Sequence, residues 1–231
     1  MIKSDPTDST IESSTPIVQL CIDVVSLDVA IEVGKMGLRA GVDWLELGTP
    51  LVSWEGINSF KRFTETFPNT TTFLDAKVMD ASGRYVKHAA ELGIDLVCLC
   101  AAAADATFNA AIAAAKDSGT KIVGDLLAVP DPVGRARQLA ALGVHYVYLH
   151  FGFDQRNEDP DQDRTMQQIR MLKAAVGVPI GIVVFDTESA VQAVKAGADI
   201  LLVSHPFLIG ENSEAMLAEL VQAVKSAPGH T

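Results

Sequence analysis

In FLDAKVMD, residues 73–80, an apolar run ends in two carboxylates and one amine: Asp75, Lys77 and Asp80. Charges at the mouth of a strand that otherwise reads as buried cost stability unless they meet each other, a metal or a substrate. Asp75 and Lys77 are two apart on that strand, which turns both side chains to one face. Flanking carboxylates favour the charged form of Lys77. A charged lysine is a poor imine nucleophile, but it can stabilise a developing anion or deliver a proton to it. Asp80, where DASG opens a loop and helix, is either a helix cap or a further functional acid.

Glu46, in WLELGT, ends the neighbouring strand and can reach the same point as Asp75 from another side. Two carboxylates with room left for water and substrate oxygens suit Mg²⁺, which takes few protein ligands. Such an ion can hold the adjacent oxygens of an α-hydroxy ketone and stabilise its enediolate. His150 is placed to exchange a proton, and Asp125 to orient it or share that work. The plainer readings are a hydrogen-bonded core histidine for His150 and a simple ion pair for Asp125. Cys98 and Cys100 share a face, but no further Cys or His stands at metal spacing, so they read as small core fillers.

These side chains need a common rim, and the chain's punctuation supplies one. From residue 17 the apolar segments IVQLCID, WLELGT, TTFLDAKV, LVCLCA, KIVGDLLA, YVYLHFG, PIGIVVF and ILLVSH alternate with stretches of helical periodicity such as LDVAIEVGKMGLRAG. Several of those stretches stop at a glycine, at positions 41, 93, 119, 143 and 197. GVDWLEL, GIDLVCL, GVHYVYL and GADILLV repeat one helix-end, turn, strand pattern. Eight such units predict an α/β chain folded as a (β/α)8 TIM barrel, a single domain over residues 17–231. A doubly wound open sheet is the alternative, but no Gly-x-Gly-x-x-Gly follows the first strand. Barrel chemistry collects at the C-terminal ends of the strands. Read in turn, those ends are Asp23, Glu46, Asp75 with Lys77, Asp125, His150, Asp186 and His205.

Composition narrows the partners. The chain has 231 residues, 48% apolar and 20% charged, with net charge −11. That charge argues against nucleic acid and an anionic membrane surface, though not against an anionic small substrate. Three cysteines in apolar runs suggest reduced buried thiols. No apolar run approaches the roughly 18 residues of a membrane span. MIKSDPTDSTIESSTP lacks the pattern of a secretory signal and reads as a flexible extension over residues 1–16. A soluble cytoplasmic protein is expected.

DAKVMD resembles the Asp-x-Lys-x-x-Asp motif of the orotidine 5′-monophosphate decarboxylase suprafamily, and most closely its metal-dependent branch of 3-hexulose-6-phosphate synthases and 3-keto-L-gulonate-6-phosphate decarboxylases. LCIDVVS, ELGTPLVSWEG and LHFGFDQ support the resemblance, which runs from about residue 17 to residue 178. It implies a Mg²⁺-dependent carbon–carbon lyase acting through an enediolate on a keto-sugar phosphate, by aldol addition or cleavage or by decarboxylation. Glu46 and Asp75 would be metal ligands, Asp23 and Lys77 would bind and polarise substrate, and His150 would handle protons. Asp80 would reach across a homodimer interface into the neighbouring site. The Asp of VGDLLAV and the Gly-x-Asp-Gln after the histidine look more like the synthase.

One departure stands out. Such relatives cradle the substrate phosphate with glycine-rich turns after strands seven and eight, where backbone N–H groups and a helix N-terminus meet the anion. Here Val184 and Phe185 stand in the first turn, and Ser204, His205 and Pro206 in the second. Asp186 would repel a phosphate it faced. Either Ser204 and His205 replace some phosphate contacts, or the substrate is an unphosphorylated hydroxy-keto compound. A barrel that binds a sugar acid without catalysis is a third possibility, against which the retained acids and histidine speak.

Overall fold

The structure, a computed structural model, describes residues 15–158 and 162–227. The expected flexible extension over residues 1–16 therefore lies almost wholly outside the described residues. Eight parallel strands close into a barrel in sequence order: β1 (Ile17–Ile22), β2 (Trp44–Leu47), β3 (Thr71–Val78), β4 (Leu96–Cys100), β5 (Lys121–Asp125), β6 (Tyr146–Leu149), β7 (Ile180–Val184) and β8 (Ile200–Val203). The fold is the expected (β/α)8 barrel. Apart from β3, which coincides with TTFLDAKV, the strands are shorter than the apolar runs that announced them, because those runs continue into the loops that follow.

Helices cover the outside, and alternation along each strand sorts the side chains between two cores. Val18, Leu20 and Ile22 of β1 pack outward into the shell beneath the helices. Cys21 points into the lumen with Phe73, Cys98, Val123, Tyr148 and Leu202. Helix α1 (Leu27–Ala40) buries Ala30, Ile31, Val33 and Gly37 on one face and ends at Gly41. That glycine has φ 93°, a left-handed turn that lets its N–H cap the carbonyls of Gly37 and Leu38. Glycines 93, 119, 143 and 197 close later helices in the same way.

The remaining helices complete the shell. Helices α2 (Thr49–Glu55) and α3 (Lys61–Thr66) lie between β2 and β3, and α4 (Ser82–Glu91) follows β3. Helix α5 (Asp105–Ser118) follows β4 and α6 (Pro132–Leu142) follows β5. After β6 come α7 (Phe153–Glu158) and α8 (Gln162–Ala175); α9 (Thr187–Ala196) follows β7 and α10 (Ser213–Ser226) follows β8. No helix among the described residues is long and apolar enough to cross a membrane.

Strand β3 departs from regular alternation. Its register against β4 shifts between Leu74 and Val78, and Lys77 takes a left-handed φ of 43°. Asp75 and Lys77 do meet, and the bulge falls in the same stretch of the strand. Glu46 and Asp75 also lie within their strands, not at the ends.

The lumen has no slack at Gly181. A Cβ there would lie 2.5 Å from Cδ1 and 2.6 Å from Cε1 of Tyr148. That ring cannot swing away, because it stacks on Phe73 and its hydroxyl donates to Oε1 of Gln19 at 2.7 Å. Gly181→Ala should therefore lower unfolding stability by about 1–3 kcal/mol, as overpacking does. Because the clash is with ring carbons, adding Tyr148→Phe should not restore the loss in a urea titration. Wild-type stability in Gly181→Ala would contradict this packing.

Candidate active site

A cavity of about 450 Å³ opens at the C-terminal end of the barrel. Eight of the expected residues, Asp23, Glu46, Asp75, Lys77, Asp125, His150, Ser204 and His205, line it. Asp80 does not. It is exposed, beyond the bulge, and its Oδ1 accepts the N–H of Ala81 at 2.7 Å. Nor does it cap α4, whose N-cap is Ala81. Asp186 also stays outside the cavity lining. As the N-cap of α9, it accepts the N–H of Ser189 at 2.7 Å, so its role is the structural one.

The centre of the site is a chain of charge-assisted hydrogen bonds. Lys77 Nζ donates to Asp75 Oδ2 at 2.5 Å and lies 3.6 Å from Asp125 Oδ2. His150 Nδ1 sits 2.8 Å from that same Asp125 oxygen, while Asp125 Oδ1 accepts the N–H of Leu127 at 2.9 Å. An ionised Asp125 makes Nδ1 the protonated ring nitrogen, which leaves Nε2 for the cavity. Burial pushes the Asp125 carboxyl up, but the hydrogen bond and charge of His150, with Lys77, outweigh it and hold the group below the ordinary range. Burial likewise works against the Lys77 ammonium, and Asp75 above all reverses that, so the amine is held well above the usual lysine range. Lys77 is thus a fixed cation and not an imine-forming nucleophile, as the sequence implied.

Asp75 has two unlike oxygens. Oδ2 also accepts from Thr49 Oγ1 at 2.6 Å, and Thr49 in turn accepts from Lys77 at 3.1 Å. Oδ1 is buried with no partner. An orphaned carboxylate oxygen in a cavity is an invitation to a ligand. Ligand atoms of Asp75, Cys98 and Asp125 all lie within 4.8 Å of one another. The two carboxylates are hard oxygen donors suited to Mg²⁺. Burial, then the charges of Asp75 and Asp125, pushes the Cys98 thiol well up, so it stays neutral and fills space.

Glu46 is not part of that group. It lies one layer deeper in the barrel, where Oε2 accepts from Gln19 Nε2 and from Cys21 Sγ. Burial and the charges of Asp75 and Asp23 raise its carboxyl to about 8. Asp23 is also raised, by burial first, even though Ser204 Oγ donates to its Oδ2 at 2.6 Å. Gly48 makes this crowding possible, since a Cβ there would collide with Asp23 Oδ1.

Sequence reasoning passed over Thr49, Gln19 and Tyr148. Thr49 stood in the quoted ELGTP and could have been singled out. A glutamine in the middle of IVQLCID was the visible sign of a polar group in the lumen.

The profile of the orotidine 5′-phosphate decarboxylase / HUMPS family matches residues 16–225. A 3-hexulose-6-phosphate synthase of Bacillus subtilis (strain 168) is 36% identical over 152 residues, 66% of this chain and 72% of the relative. The crystal structure of a 3-hexulose-6-phosphate synthase superposes with TM-score 0.83 at 28% identity, over 90% of this chain and 99% of that one. A crystal structure of KGPDC from Streptococcus mutans gives TM-score 0.85 at 19% identity, over 93% and 99% of the two chains.

The raised Glu46 fixes a pH dependence. Its folded pKa lies above the ordinary 4.5, so the neutral form's contribution is complete below that value and is lost as pH rises through about 8. The metal-free protein should therefore lose stability, on the order of a few kcal/mol, between pH 5 and pH 9 relative to Glu46→Gln. Urea titrations at both pH values test this. A constant difference between the two proteins would show that Glu46 titrates normally.

Proposed function

The chain belongs to the orotidine 5′-phosphate decarboxylase / HUMPS family, and from that premise we propose that it is a metal-assisted carbon–carbon lyase, an aldehyde-lyase or carboxy-lyase, working on a hydroxy ketone through an enediolate. The likeness to 3-hexulose-6-phosphate synthases supports the aldehyde-lyase form. The observation that carries the reading is the run Asp75–Lys77–Asp125–His150, in which one buried oxygen, Oδ1 of Asp75, has no partner.

Asp75 and Glu46 are the proposed holders of Mg²⁺, with the Asp125 carboxylate close to Asp75. When bound, the ion supplies Lewis-acid stabilisation of the adjacent oxygens of the substrate. Deprotonation of Glu46 accompanies that role, since its carboxyl is neutral up to about 8 without a cation. Lys77 presents a fixed positive charge where the carbonyl oxygen becomes negative as the carbon–carbon bond breaks and its electron pair enters the carbonyl. Asp75 and Thr49 keep that ammonium aimed. His150, steadied through Nδ1 by Asp125, delivers a proton from Nε2 to the enediolate carbon or removes it in the reverse direction. Asp23, tied to Ser204, accepts a substrate hydroxyl.

Asp80 is exposed and absent from the cavity of its own protomer, the placement required of a residue offered to a neighbour. We extend the proposal to a homodimer in which each Asp80 enters the partner's site.

Two outcomes follow. The protein with Mg²⁺ should catalyse exchange of a substrate carbon-bound proton with deuterated water. Asp75→Ala should abolish it and His150→Ala slow it roughly 100-fold or more. Full exchange by Asp75→Ala, followed by proton NMR, would remove the mechanism. Separately, Asp75→Ala and Asp80→Ala should each be inactive, yet mixed and reassorted they should regain about a quarter of wild-type activity, since half the dimers then hold one intact site of two. Failure to recover any activity after verified subunit exchange would sink the shared-site reading.

A further inference from the structure

The cavity has two chemically different halves. The half built on β1 to β6 carries Asp23, Glu46, Asp75, Lys77, Asp125 and His150. The rest of the lining includes an apolar group of Phe151, Phe153, Val183, Phe185 and Leu202, with Pro50 from the start of α2. Loops after β6 and β7 supply most of these rings.

An anionic tail would find little to hold it there. No arginine lines the cavity among the described residues. Lys77 is committed to Asp75 and Asp125, and His150 to Asp125. Of the lining side chains that can carry positive charge, the exposed His205 and the Nε2 edge of His150 remain. At the N-terminus of α9 after β7 the Asp186 carboxylate takes the Ser189 N–H, which places a negative group at a helix end that a bound anion would use. Ser204, after β8, gives its hydroxyl proton to Asp23. A phosphate would therefore give up hydration for aromatic rings and approach the Asp75 and Asp125 carboxylates, an unfavourable exchange.

Resting on the lyase reading above, we infer that the substrate is an unphosphorylated hydroxy ketone whose remote end is uncharged and apolar. Its hydroxy-ketone head meets the polar half, and its tail lies against Phe151, Phe153 and Phe185. Burying a ring-sized apolar tail there strengthens binding roughly 10- to 100-fold over the same head without it.

The test compares 1-hydroxy-4-phenylbutan-2-one with a pentulose 5-phosphate on the full-length protein with Mg²⁺. Calorimetry gives affinity, and carbon-bound deuterium exchange gives chemistry. The phenyl compound should bind at least about tenfold more tightly than the phosphate. Phe185→Ala should narrow that ratio to within about twofold, and millimolar inorganic phosphate should leave phenyl-compound binding unchanged. Equal or tighter binding of the sugar phosphate, displacement by inorganic phosphate, or no binding of the phenyl compound overturns the inference. The two readings fail separately. Absence of exchange with both compounds counts against the lyase chemistry while calorimetry still decides the tail. Exchange with the sugar phosphate at the higher affinity counts against the apolar tail alone.

Discussion

Four carboxyl groups share the mouth of this barrel with a single ammonium, and the organisation of the site follows from that imbalance. Glu46, Asp75 and Asp125 are 4%, 6% and 2% exposed, so water cannot screen them. Charges that deep cost several kcal/mol each unless they are paired and hydrogen-bonded. Each group escapes differently. Asp75 takes the lysine and Thr49, and Asp125 takes the histidine and a backbone N–H. Glu46 keeps a proton, and Asp23 leans on a serine. One oxygen of Asp75 is left over, buried without a partner.

The bulge in β3 sits where one ammonium serves two acids. With regular pleating, Lys77 would continue the line of Phe73 and Asp75 up the barrel. The left-handed turn at Lys77 departs from that line, at a cost of order 1–3 kcal/mol for a residue with a Cβ. Contacts on both sides of the chain offset it. The Lys77 carbonyl accepts from Cys100 Sγ at 3.4 Å, and its ammonium holds Asp75 and Thr49. Strain and charge pairing thus share one residue, where a mechanism needs a rigid cation.

The barrel was legible because two periods repeat through the chain. Inward and outward residues alternate along strands, and left-handed glycines mark helix ends; both are local properties. The Asp75–Lys77 contact and the His150–Asp125 pair were legible for a related reason, since residues at equivalent strand ends must converge in a closed barrel. What stayed hidden depends on depth and on hydrogen-bond direction. Nothing in WLELGT tells that Glu46 sits a layer below Asp75 among Gln19 and Cys21, because stagger between strands is a property of closure. Asp186 shows the converse. Its position after a strand looked functional, yet a cap residue and a site residue have the same sequence appearance, and only Ser189 N–H separates them. Asp80 read as either a cap or a functional acid, and it caps nothing, since Ala81 holds the N-cap position of α4.

The two halves of the cavity are coupled at one narrow point. Residues of β1 to β6 hold each other through the charge network, so replacing any one of them strands a buried partner. Phe151 and Phe153 after β6 carry no charge, and they can change size or polarity without leaving one unpaired. Ser204 ties the sides together, reaching from the loop after β8 to Asp23. Chemistry at the carbonyl is therefore constrained by electrostatics, while the choice of tail is constrained by packing alone. A barrel of this construction can keep its reaction and exchange its substrate, since drift in the second half costs little and drift in the first costs the fold's hold on its own charges.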